Sequence, residues 1–292
     1  MKNTLKLFAV VTLGALLFTS CQKEKLEGQY MPKKKLSTVR TASITQIGDV
    51  ETESLVLVAT YNWDGKLLHD ITTISELSGE GFSKETFTYD SEKRVSEVTS
   101  QTDYLTTYKF FYNNKDLSKV EVTIGNDIAD EYLFTKIDGK VTEITHTPLR
   151  GAGKKGNYSS LNHFFPVQIV NAMETAANNT EKGESSVTRL TWEGNNIVKT
   201  EMEATITTLT TEYTYDDKTN PIYGLFGQGF YSTPEAIFST NNILTVTTEM
   251  PVIGALVTTH TYEYDGDYPA KETIETKGGI INSKNTVVYT YK

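Results

Sequence analysis

The chain has 292 residues, 22% of them charged and 38% hydrophobic, with a formal net charge of -9. That balance excludes a polytopic helical membrane protein, and the acidic excess gives nucleic acid no electrostatic footprint. One cysteine excludes an intrachain disulfide, while 12 Phe, 17 Tyr and 45 Thr favour strands over disorder.

Lys2 and Lys6 open the chain, and residues 7–18 are apolar apart from Thr12 and Gly14. A basic start, a short apolar run and small residues before a cleavage point make a secretory signal peptide of residues 1–20. The run is too short to span a bilayer stably. Phe18-Thr19-Ser20-Cys21 resembles the lipobox of bacterial lipoproteins, with Phe18 where an aliphatic residue is usual. The resemblance implies that Cys21 is lipidated, becomes the first residue of the mature chain and attaches it to a membrane. Two or more acyl chains suffice for stable attachment where one does not. Residues 21–48, with Lys33-Lys34-Lys35, then read as the lipidated cysteine and a flexible tether. The segment Gln22-Lys23-Glu24-Lys25 leaves the periplasmic and the cell-surface face of the outer membrane both open.

Residues 49–292 read as a single β-domain. Runs rich in Thr, Val, Ile and Tyr alternate with polar turn clusters. A unit recurs in which an aromatic, any residue and a second aromatic lead into an Asp or Asn turn. It occurs as Tyr61-Asn62-Trp63-Asp64, Phe87-Thr88-Tyr89-Asp90, Phe110-Phe111-Tyr112-Asn113, Tyr213-Thr214-Tyr215-Asp216 and Tyr262-Glu263-Tyr264-Asp265. Degenerate copies stand at Phe134-Thr135-Lys136 and Leu190-Thr191-Trp192. The period of roughly 24 residues fits two strands and two turns. Short turns make sequential strands pair, so the spacing predicts an all-β antiparallel meander of about 14–16 strands. A sheet that large curls or closes into a barrel-like form to hide its edges. Aromatics two apart share one face of a strand, so the rings, Trp63 and Trp192 included, form a cross-strand stack near one end of the sheet.

Two insertions interrupt the rhythm, at about residues 147–186 and 220–240, and each has room for a short helix. Phe164 to Met173 carries Pro166 in a candidate first turn, and Thr233-Pro234-Glu235 reads as an N-cap with proline at the first helical position. Both are apolar enough to cap or partly plug the open end of the sheet.

The lipobox, the Tyr-x-Tyr-Asp repeats and the phrase Tyr215-Asp216-Asp217-Lys218-Thr219-Asn220-Pro221-Ile222-Tyr223-Gly224-Leu225 together resemble a family of Bacteroides-type lipoproteins. That family is a domain of unknown function described as porin-like, and the resemblance covers about residues 50–292. It implies a porin-like fold and carries no catalytic residues. The strands themselves do not suit hydrocarbon. Along residues 201–215 both faces carry Glu and Thr, and residues 117–124 alternate as a half-buried strand in water does.

No pattern for chemistry stands out. Gly151-Ala152-Gly153-Lys154-Lys155-Gly156 matches a phosphate-loop string but leads into no helix, so it reads as a loop. His69, His146, His163 and His260 are far apart in sequence, which predicts neither a local metal site nor a cofactor. The expectation is a non-enzymatic envelope lipoprotein that binds or scaffolds a partner, a glycan or an envelope protein. Its contacts would be the loop aromatics Tyr158, Phe164, Phe165, Tyr223, Phe226, Phe230 and Tyr231. A carrier of lipid or another hydrophobic ligand, and an envelope glycosidase, are the alternatives.

Overall fold

The structure, a computed structural model, describes residues 27–47, 50–76, 81–102, 105–149, 185–204, 207–227, 233–250, 254–278 and 281–292. The first half of the sheet is β1 Leu36–Ile47, β2 Val50–Asp64, β3 Leu67–Ser75, β4 Gly81–Tyr89, β5 Val95–Gln101, β6 Leu105–Asn113, β7 Asp116–Ile124 and β8 Asp127–Ile137. The second half is β9 Lys140–Pro148, β10 Ser186–Glu193, β11 Asn196–Ala204, β12 Thr207–Thr219, β13 Asn241–Met250, β14 Gly254–Asp265, β15 Tyr268–Gly278 and β16 Ile281–Tyr291. One short helix, α1 Pro234–Phe238, lies between β12 and β13. Every strand pairs antiparallel with its sequence neighbours, and β1 closes against β16. The product is a closed barrel with no free sheet edge. Its hairpin turns are tight. Asp138 and Gly139 both take positive φ, 51° and 75°, the geometry whose twist matches antiparallel strands.

The N-terminal tether is shorter than its composition suggests. Leu36–Ile47, read above as linker, is β1, and Leu36 is fully buried. The stretch looks solvated because its outward side chains are polar. Arg40 pairs with Glu53 and Glu76, and Thr38 bonds Thr290.

The aromatic repeat builds one end of the barrel. The first ring of each pair points inward into the core, as Tyr61, Phe87, Phe110 and Tyr213 do. The second ring follows a register shift just before the turn and donates to a backbone carbonyl one strand back. The bonds are Trp63 to Leu36, Tyr89 to Leu68, Tyr112 to Val95, Trp192 to Val141, Tyr215 to Ile197 and Tyr291 to Pro269, at 2.5–2.8 Å. In β14 the first ring, Tyr262, makes the equivalent bond to Ile243 at 2.9 Å. The eighth place, on β8, holds Lys136 instead of a ring. There the N-terminal segment enters: the Glu27 carboxylate pairs with Lys136 and accepts the Leu117 N–H at 2.6 Å.

Two segments close this end. Residues 27–30 are fixed to the turns by Glu27 N to Lys115 O and Val95 N to Gly28 O, and by Gln29 to the Glu92 carbonyl. Gly28 takes φ +75°, and a Cβ there would overlap the Tyr112 hydroxyl. The insertion between β12 and β13 supplies Leu225, Phe226, Ile237 and Phe238 to the core. Phe226 stacks on Phe110 at 5.7 Å, and Tyr30 OH donates to the Pro221 carbonyl at 2.6 Å, joining the two segments. Buried Asn220 holds the insertion in shape, donating to the Ala236 and Ser239 carbonyls and accepting Ile222 N–H. The plug expected over 220–240 is present, and α1 starts at Pro234 without a side-chain cap bond from Thr233.

The outward face carries ion pairs along its height, those of Lys119, Lys199 and Arg189 near mid-strand. Lys119 pairs with Glu121 and Glu131, Lys199 with Glu201, Arg189 with Glu143 and Glu203, Lys271 with Glu263, and Lys284 with Glu51. These residues alternate along their strands with inward Val120, Thr200, Leu190 and Glu272. A lysine or arginine facing lipid at the midplane costs about 2–4 kcal/mol.

Tyr112→Phe removes one ring-to-carbonyl bond and is expected to lower unfolding free energy by about 1 kcal/mol. Asn220→Ala leaves two buried carbonyls unmet and is expected to cost about 2–4 kcal/mol. Denaturant titration of both variants reads the difference.

Candidate functional site

The interior is two-sided. On β2–β11, near the plugged end, inward positions are apolar and merge with the plug in one core. On β11–β16 they include hydroxyls and ionisable groups, interspersed with Leu256, Ile274 and Val287. Thr200 bonds Tyr213 at 3.1 Å, Thr211 bonds Thr248 at 3.2 Å and Thr258 bonds Thr276 at 3.0 Å. Each contact crosses between neighbouring strands, so an interrupted polar strip follows the inner wall from β11 to β15, broken between β13 and β14, where Thr248 is paired with Leu256 and Thr258 with Val246.

The strip ends in a buried network. His260 Nδ1 lies 2.6 Å from a Glu272 carboxylate oxygen, and the Tyr289 hydroxyl donates to the other oxygen. His260 stacks near Tyr262, ring centroids 6.4 Å apart. Burial, followed by the Glu272 carboxylate, pushes the Tyr289 and Tyr262 hydroxyls far above their ordinary range. Among the described residues, His260 Nε2 is the one buried side-chain nitrogen or oxygen without a hydrogen-bond partner. A second histidine–carboxylate pair stands across the barrel wall on β8 and β9. His146 Nε2 lies 2.8 Å from Asp130, and its ring stacks on Tyr132 at 4.6 Å.

Both pairs are diagonal neighbours across a hairpin. Tyr132 is the partner of His146, and Asp130 precedes it by two; Ile274 is the partner of His260, and Glu272 precedes it by two. Reflecting the sequence about Gly139 and Gly266 brings these residues together, a signal that sequence separation alone hides. The groups can accept and donate hydrogen bonds to a polar ligand. No group of three or more His, Cys, Asp or Glu residues able to hold a metal occurs among the described residues.

Glu235, at the first turn of α1, is buried in the plug, and burial pushes its carboxyl up to about 7 against a hydrogen bond from Tyr213. The sequence pattern marked it only as part of a helix start.

The loop aromatics expected as contacts divide. Tyr158, Phe164, Phe165, Phe230 and Tyr231 lie outside the described residues, as does Cys21. Tyr223 is half-buried in the turn that begins the plug, where burial and nearby Glu27 raise its hydroxyl. Phe226 is 2% exposed and belongs to the core, which corrects its reading as a contact. It is apolar, and the wide interior beside Phe110 offered it burial. The helix expected near Phe164, the Gly151 loop and His163 also lie outside the described residues.

Comparison with known proteins gives a likeness in fold. The chain superposes on a porin-like protein from Bacteroides uniformis with a TM-score of 0.54 and 11% identity, over 91% of this chain and 100% of the other. A porin-like protein from Bacteroides vulgatus aligns over 89% of this chain and 99% of the other, at a TM-score of 0.25 and 9% identity. No family model matches the chain, and no curated protein does. At such identity the first likeness shows the closed antiparallel barrel alone.

Glu235 makes stability pH-dependent in a defined sense. Its carboxyl binds a proton more tightly folded than unfolded, so its contribution is full below about pH 4.5 and is lost as pH rises through about 7. Glu235→Gln is expected to raise stability at pH 8, by on the order of 3 kcal/mol, and to flatten the pH profile between 5 and 8. Melting curves across that range check it.

Proposed function

We propose that the chain is a non-enzymatic cell-envelope lipoprotein, tethered through Cys21 to the outer membrane, whose barrel binds a polar, hydroxyl-rich ligand, a glycan, along its polar inner wall. The observation that carries the reading is His260 Nε2, a buried ring nitrogen without a partner at the end of a strip of inward hydroxyls. A ligand hydroxyl is the group that would complete it, and the neighbouring rings of Tyr262 and Tyr289 supply flat apolar surface beside it. The mid-height ion pairs support a barrel standing in water on a lipid tether over one inserted in the bilayer. The lipobox-like Phe18-Thr19-Ser20-Cys21 supports the envelope location.

A carrier of hydrophobic ligands is the weaker reading, because the apolar part of the described interior is already occupied by Phe226, Phe238 and their neighbours. The two histidine–carboxylate pairs are the groups an enzyme reading would rest on, and glycan turnover abolished by Glu272→Gln would favour it.

Cys21→Ser is expected to move the protein from the membrane fraction to the soluble fraction of cells, with retention in the membrane contradicting the tether. For the ligand, thermal shift against an envelope glycan panel is the measurement. A ligand at 100 times its dissociation constant adds about 2.7 kcal/mol of stability. The double variant Thr258→Val with Thr276→Val removes a mutually satisfied pair, which costs little stability. It is expected to abolish the glycan shift, and an unchanged shift would remove the polar wall from the binding site.

A further inference from the structure

We propose that the plugged end of the barrel is a membrane-facing base, resting against the lipid headgroup surface, with the far end directed away from it. The proposal depends on lipidation of Cys21, and its argument is one of length. By composition the tether runs to residue 48, which would leave the domain free to tumble at the end of a flexible chain. A Gly/Ser-like linker of that length has a root-mean-square span of about 30 Å. The structure shortens it sharply. Glu27 is bound through its backbone to Lys115 and through its carboxylate to Lys136 and the Leu117 N–H. Gly28 and Gln29 bond the β4–β5 turn region at Val95 and Glu92, and Tyr30 is locked to Pro221. All these partners lie at the plugged end.

Five residues, and so six Cα-to-Cα steps, separate Cys21 from Glu27. Fully extended they reach about 20 Å. The strands between the two ends are 7–15 residues long. At about 3.3 Å per residue and a tilt of roughly 35–45°, typical strands of about ten residues set the far rim near 25 Å beyond the plugged rim. A tether that begins at the plugged rim therefore cannot hold that rim far from the bilayer to which Cys21 is fixed, and cannot stand the barrel on its far rim. The turns at Asp64–Lys66, Asp138–Lys140 and Glu193–Asn195 are held at the lipid surface, and the Gly125–Asn126 turn of β7–β8 is held away from it. A soluble ligand for the inner wall then arrives from the aqueous side. Tyr223, beside Glu27, lies in the base, away from that route.

The test uses the full-length lipidated protein in phosphatidylethanolamine and phosphatidylglycerol vesicles. Cys21, once thioether-linked, offers no free thiol, so one added cysteine takes one fluorescent donor. The exposed turn positions are Lys66→Cys and Asn195→Cys at the plugged end and Asn126→Cys at the far end. Acceptor dye is carried on the lipid headgroups. The expected result is clearly greater loss of donor fluorescence at 66 and 195 than at 126. Equal loss at all three positions, or greater loss at 126, overturns the orientation. Vesicle flotation of the native chain against Cys21→Ser separates the two layers of the argument. A native chain that carries no lipid and does not float overturns the tether and the base together. A chain that floats through Cys21 but shows equal transfer overturns the base alone.

Discussion

Closing sixteen strands into a ring removes every sheet edge but creates an interior wider than wall side chains alone can fill. The rest of the structure answers that constraint. A small barrel packs its own inward residues; this one brings in chain from elsewhere. Residues 27–30 and the β12–β13 insertion enter the same end and bond each other through Tyr30 and Pro221. Leu225, Phe226, Ile237 and Phe238 convert what would be a water-filled mouth into a continuous apolar core with β2–β11. The ring-to-carbonyl bonds of the hairpins sit at that same end. They satisfy the indole and phenol donors that burial would otherwise leave unmet.

The division of the interior follows from where the plug stops. Opposite β3–β10, where Leu, Val and Phe point inward, burial against the plug stabilises the fold. On β11–β16 inward Thr, His, Glu and Tyr residues satisfy one another across strands, with Leu256, Ile274 and Val287 between them. Such a wall contributes less to the core than aliphatic residues would. It keeps polar groups inside the barrel, among them the buried, unpartnered nitrogen of His260. The buried carboxyl of Glu235 sits in the plug and ties the packing of that end to pH.

Much of this architecture was legible in the sequence because its period is local. The Tyr-x-Tyr-Asp units placed the turns, the strand count and the shared end of the rings. The phrase running from Tyr215 to Leu225 stood out as the most specific string, and its residues prove structural. Asp216 accepts the N–H groups of Lys218 and Asn242, Asn220 clamps the helix, and Pro221 receives Tyr30. What was hidden depends on contacts distant in sequence. Leu36–Ile47 looked like linker because its outward side chains are polar, and its partner β16 lies at the other end of the chain. Phe226 looked like a ligand contact because a sequence does not show that the barrel mouth would enclose it. The histidine pairs emerge only once hairpin register is fixed, since their carboxylates lie 16 and 12 residues away.

We propose that this barrel is a water-facing container held on a tether, its plugged end stabilised from within. The most direct test is to purify the chain from residue 22 onward, without its lipid and without detergent, and to follow sedimentation together with far-ultraviolet circular dichroism. The account requires a dispersed, all-β protein that unfolds cooperatively in plain buffer. A chain that stays aggregated until detergent is added, and acquires its strands only then, would show that the outer wall belongs in a membrane and would contradict the account.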